Sequence, residues 1–150
     1  MAESEEKQMK KLKYFFLVTD IGFILYWTIT LFHLIPDQLL FKDYKNSILI
    51  SWNWSFFPLD IGISLTGLFS IFLYTRRNKA WKILSLISLV LTFCSGLQAI
   101  AFWVLQKDFD PAWWAPNLYL MIYPLFFIRE MVKKLAEEYS KEEFQRVKET

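Results

Sequence analysis

Four apolar stretches, residues 14–35, 55–75, 83–105 and 113–132, alternate with shorter polar ones along this chain. Each is of the length that a helix rising about 1.5 Å per residue needs to cross a hydrocarbon core about 30 Å thick. The pattern predicts an all-α polytopic membrane protein, a four-helix transmembrane bundle. Pro36 closes the first stretch. Pro58 sits in the first turn of the second, where its missing N–H costs little. Asp110 and Pro111 precede the fourth, and Pro124 within it predicts a kink, because the carbonyl of Leu120 loses its usual donor.

The predicted organisation is a cytoplasmic segment over 1–13, a membrane domain over 14–132 and a cytoplasmic helical tail over 133–150. The longest connector is 36–54, and its residues 37–50 read as a short interfacial helix or a cap over the bundle. The tail carries i, i+4 pairs, Glu130–Lys134, Glu137–Lys141 and Glu142–Arg146, that support a solvated helix rather than a site.

Polar residues inside the apolar stretches fall on stripes at helical spacing, and lipid offers such groups no partner, so the stripes should face inward. Thr19, Tyr26, Thr30 and His33 share a face of the first span with Phe23, and Asp20 borders it beside Trp27. Asp60, Ser64 and Gly67 share a face of the second span. Ser85, Ser88, Thr92, Ser95 and Ala99 do so in the third, with Gln98 to one side; small residues of this kind let helices approach closely. Asn117, Met121, Pro124 and Ile128 align in the fourth.

Asp20 and Asp60 are the costly positions, since a carboxylate inside a span is unfavourable by about 3 kcal/mol. Asp20 lies at the depth of Arg129, and its structural reading is an ion pair with that residue or a protonated acid bonded to a hydroxyl. Asp60 reads as a helix-start acid bonding free N–H groups near residues 55–58, or as a carboxylate at the mouth of an aromatic cavity. By depth, Asp60, Gln98, Asn117 and His33 all fall within about 10 Å of one surface, one polar group per helix.

Charge fixes the expected orientation. Lys7, Lys10, Lys11, Lys13, Arg76, Arg77, Lys79, Lys82, Arg129, Lys133, Lys134, Lys141, Arg146 and Lys148 fall on one side, against Lys42, Lys45 and Lys107 on the other. The positive-inside rule places both termini in the cytoplasm and the protein in the cell membrane. Trp52, Trp54, Trp103, Trp113 and Trp114 gather at the other surface and read as an anchoring belt, with an aromatic ligand gate as the competing reading. Basic residues spaced in this way do not describe a nucleic-acid surface. A single cysteine, Cys94, excludes an internal disulfide. No Cys/His cluster offers a metal site, no cofactor motif is present, and residues 1–13 are too polar for a cleavable signal peptide.

The run SWNWSFFPLDIGIS at 51–64 and APNLYLMIYPLFFIRE at 115–130, with the four-span layout, resembles the uncharacterised YvaD-like small membrane protein family of Bacillus. The resemblance covers residues 10–132 and implies topology without an activity. A looser architectural likeness, to the emopamil-binding and sigma-2 receptor group, implies a four-span bundle with acidic residues in a membrane cavity that takes sterols or cationic amphiphiles. Asp20, Asp60 and the span starting at Ala115 occupy corresponding places, but the dense His and Glu set of the isomerases is missing.

Three functions fit these residues. The first is binding of a small lipophilic or cationic ligand in an outward-facing cavity walled by Tyr26, Trp27, Phe57, Gln98, Asn117, Tyr119 and Tyr123, with Asp60 as counter-charge and His33 nearby. The second is an acid-catalysed isomerase or cyclase of isoprenoid or sterol-like lipids, with Asp60 as proton donor and His33 as the candidate base. The third is a structural or regulatory subunit partnered by a second copy or another membrane protein.

Overall fold

The computed structural model describes the backbone of residues 2–40 and 44–149. Six helices follow one another, and no strand occurs among the described residues: α1 (Ala2–Leu31), α2 (Asp37–Leu40), α3 (Ser47–Ser55), α4 (Phe57–Thr75), α5 (Trp81–Leu105) and α6 (Pro111–Glu149). Three stretches are long and apolar enough to cross a membrane, Glu6–Leu31, Ser47–Thr75 and Trp81–Leu105. The fourth apolar segment, 113–132, lies in α6 but does not reach that level of apolarity. Asn117 and Pro116 and Pro124 dilute it.

Helical structure in the second stretch begins earlier than the hydrophobic pattern implied. Asn46 accepts from the Ile48 N–H at 3.0 Å and starts α3 as an N-cap. The helix is interrupted only at Phe56, because Pro58 has no N–H to return to the Trp54 carbonyl. Within the connector expected to form an interfacial helix or cap, α2 and the start of α3 are helical, and residues 41–43, including Lys42, lie outside the described residues.

The side chains are not sorted as in a soluble protein: small polar residues are buried beside apolar ones, and large apolar residues cover the exterior. Asp20, Ser70, Ser85, Ser88 and Thr92 are fully buried, while Ile24, Leu25, Leu65, Phe69, Ile87 and Phe126 are exposed. Such an exterior suits hydrocarbon, and an interior of small hydroxyl residues suits helices packed at close range. Gly96 of α5 shows how close: a β-carbon there would lie 2.6 Å from the Met121 nitrogen and 2.7 Å from the Asn117 carbonyl of α6. Ser88 of α5 donates to the Ile63 carbonyl of α4 at 3.3 Å, and Ser64 of α4 to the Asp20 carbonyl of α1 at 3.2 Å.

The helices pack in series, α1 on α4, α4 on α5 and α5 on α6. The two ends of that series, α1 and α6, are joined chiefly through side chains. Phe15 stacks on Tyr123 at 5.0 Å and on Tyr119 at 6.3 Å, and Thr19 donates to the Tyr123 hydroxyl at 3.2 Å. Met9, Leu12 and Phe16 of α1 close the seam further down, in a core with Trp81, Leu89, Tyr123 and Met131. The start of α6's polar extension is docked rather than free: Lys134 donates to Gln8 at 2.7 Å, and Glu138 pairs with Lys82. Glu130–Lys134 forms at 3.2 Å, whereas Glu137 lies 4.0 Å from Lys133. The side chain of Glu142 lies outside the described residues.

Candidate functional site

Toward the tryptophan-rich end α1 and α6 separate, and the gap between them is a cavity of about 300 Å³. Its walls come from five helices and the Phe56 turn: Thr19, Phe23, Tyr26 and Trp27 of α1, Trp52 and Asn53 of α3, Asp60 of α4, Ser95 and Ala99 of α5, and Trp113, Asn117, Tyr119 and Leu120 of α6. Val18 and Gly22 of α1 and Pro116 of α6 also border it and are exposed, so the cavity opens sideways along the α1–α6 seam.

Asp60 is the one acidic residue in the lining, and it is only 4% exposed. The Trp27 indole N–H donates to its Oδ2 at 2.9 Å and the Ser95 hydroxyl to its Oδ1 at 3.2 Å. These two donors tie α4 to α1 and to α5. The expected helix-capping role is not what the structure holds, because both oxygens face other helices and α4 has no side-chain cap bond. Among the described residues no lysine or arginine pairs with Asp60, so the carboxyl is held by neutral donors alone.

Asn53 is the second polar feature of the wall. Its Oδ1 accepts from the Tyr26 hydroxyl at 2.8 Å, while its Nδ2 is buried without a hydrogen-bond partner. Asn117 donates to the Trp113 carbonyl one turn earlier at 2.8 Å. Aromatic rings complete the enclosure. Tyr26 and Phe57 meet Trp27 edge-on, and Trp52 stacks on Phe102 at 4.1 Å.

The structure therefore gathers Asp60, Asn117, Tyr26, Trp27 and Tyr119 at one cavity. Phe57 supports Trp27 from behind. Tyr123 lies below, in the core, bonded to Thr19. Gln98 is exposed on α5, off the buried face. His33 is exposed past the end of α1, in a left-handed turn with φ of 48°, and is not part of the lining. Asp60 and His33 are thus not assembled as an acid–base pair.

Asp20 is fully buried with both carboxyl oxygens lacking a hydrogen-bond partner, while Arg129 is exposed on α6. The expected Asp20–Arg129 pair does not form because Asp20 faces α4, where its carboxyl covers Gly67. Asn53, Ser95 and Phe56 line the cavity without having been singled out as ligand contacts, and Trp52 and Trp113, read from the sequence as members of an anchoring belt or an aromatic gate, line it as well. Asn53 was detectable in principle, as an amide between two tryptophans inside a continuous apolar run.

Among the described residues no group of His, Cys, Asp and Glu could hold a metal ion. No solved structure matches the chain. The Bacillus subtilis (strain 168) protein called "Uncharacterized protein YvaD" is 57% identical over 126 residues, covering 84% of this chain and 95% of that one. Residues 12–138 match a family of unknown function (DUF5360), a range that includes every residue of the cavity wall. The chain belongs to that family.

Proposed function

We propose that this protein is a four-span bundle of the cell membrane, with both termini cytoplasmic, that binds a small lipophilic cation in the cavity beside Asp60. The observation that carries the reading is a buried carboxyl, held by neutral donors only, in the wall of an aromatic cavity that opens toward the apolar exterior. A cationic nitrogen would find both a counter-charge there and the π-faces of Trp27, Tyr26 and Trp52. Support for α6 as a fourth span comes from Ile122, Leu125 and Phe126, which are exposed and continue the apolar exterior of the other helices. The uneven distribution of Lys and Arg supports the orientation. In this arrangement residues 1–13 and 133–150 lie on the cytoplasmic side, although α1 and α6 run into them without a break.

The test is binding of a labelled hydrophobic amine to the purified protein in phosphatidylcholine nanodiscs, with the alcohol of equal chain length as neutral control. Saturable binding of the amine, absent for the alcohol and lost in Asp60→Asn, is the expected result. Equal uptake of amine and alcohol would remove the reading and favour a structural or regulatory subunit.

A further inference from the structure

Gln98 is a polar side chain that the fold leaves outside. It is exposed on α5, a helix long and apolar enough to cross a membrane, and stands about 10 Å before that helix ends at Leu105. Thr28 and Thr66 satisfy their hydroxyls within their own helices, on the carbonyls of Ile24 at 2.6 Å and Gly62 at 2.8 Å. The amide of Gln98 has both a donor and an acceptor to place, and among the described residues nothing hydrogen-bonds to it. In hydrocarbon such an amide is costly to leave bare, and a neighbouring helix is the usual source of its partner.

The surface around Gln98 has the form of a helix seam. Ile83, Ile87, Cys94, Ala101 and Leu105 are exposed on the same side, and at about 100° per residue they and Gln98 fall within about 60° of arc. Steps of three, four and seven residues along that stripe are those of two helices crossing at a shallow angle. Cys94 and Ala101, one turn to either side of Gln98, are small, which lets a second backbone come close enough for the amide to reach it. None of these residues lines the cavity.

The amide also sets what kind of helix fits. It donates and accepts, so a second copy of the same group completes it, N–H to carbonyl in both directions. Two copies in one membrane share an orientation. A two-fold axis along the membrane normal then sets their α5 helices side by side and brings each residue of the stripe to the depth of its own counterpart. The stripe carries no charge that self-pairing would oppose. Resting on α5 as a membrane span and not on the cation reading, we infer that the protein is a homodimer joined along α5, with Gln98 bonded to its counterpart in the second copy.

Cys94 makes the seam testable, because it is the single cysteine of the chain and lies one turn from Gln98. Membranes holding the protein are treated with a short bifunctional maleimide. A covalent dimer through Cys94 is the expected product, lost in Cys94→Ala and not recovered when Leu25→Cys, exposed on α1, is added to that variant. Sedimentation equilibrium in density-matched detergent then measures dissociation. Gln98→Leu, which alters only an exposed side chain, should weaken the dimer about tenfold, and Gln98→Asn, which keeps the amide, should retain most of the affinity. A dissociation constant unmoved by Gln98→Leu, a monomer in detergent and membrane alike, crosslinking through Leu25→Cys as strong as through Cys94, or a Cys94 adduct with a different membrane protein would each overturn the inference. Amine binding stands or falls by its own titration.

Discussion

Asp20 of α1 lies directly over Gly67 of α4, so close that a β-carbon on Gly67 would stand 2.9 Å from the Asp20 Cγ. Seven residues further along α1, Trp27 reaches Asp60, seven residues back along α4. Each aspartate of the two Asp-Ile-Gly triplets therefore faces the position seven beyond the other, a local two-fold relation between antiparallel helices. One position offers a donor and the other offers only room. Gly67→Ala should destabilise the protein by about 2 kcal/mol through overpacking, and Asp20→Ala should restore most of that loss. The check is a double-mutant cycle on unfolding in detergent; additive effects would mean that the two residues do not meet.

Trp27 supplies Asp60 with one of its two hydrogen bonds. Trp27→Phe keeps a ring against Tyr26 and Phe57 but leaves Oδ2 without that donor, at a cost of about 2 kcal/mol. In the Asp60→Leu background the same substitution should cost less than half as much. Thermal unfolding of the four proteins in one detergent measures the coupling.

The glycines separate by what surrounds them. Gly96→Ala drives a β-carbon into the α6 backbone at Asn117 and Met121, which cannot move aside as a side chain can, and should lower stability by about 3 kcal/mol. Gly62 meets nothing within 4 Å, so Gly62→Ala should be neutral or stabilise α4 by up to about 1 kcal/mol through helix propensity. Melting temperatures that fall equally for both would contradict the close α5–α6 crossing.

Orientation is open to direct labelling. In a Cys94→Ala background, Lys45→Cys should react with a membrane-impermeant maleimide on intact cells, and Lys141→Cys should react only after lysis. Both residues are exposed in the fold. The opposite pattern would invert the proposed topology, and equal labelling of both from outside would exclude the paired cytoplasmic termini.

Much of this was legible in the chain because burying polar groups among apolar ones is costly. Asp60, Asn117, Tyr26 and Trp27 stood out for that reason, and the cavity brings them together. Depth without direction misplaced others. Gln98 has the right height on α5 but lies off the buried face of Ser88, Thr92, Ser95 and Ala99. His33 belongs to the turn that ends α1, not to its inward stripe. Asp20 shares a helical face with Trp27, and that spacing already pointed both at one neighbour; which neighbour depended on how the helices pack in series, which hydropathy does not encode. Asn53 escaped notice because Trp52 and Trp54 beside it read as an interfacial belt, when Asn46 in fact begins a helix that carries all three to the wall of the cavity or its backing.

The helices pack as an open row whose first and last members touch mainly through side chains, leaving a slot that opens sideways at Val18, Gly22 and Pro116. On the proposed reading, a guest arriving by that door is already dissolved in the leaflet. Its occupancy follows its mole fraction among the lipids, so an affinity quoted per litre of buffer would shift with every change in bilayer content while the protein's intrinsic preference stayed the same.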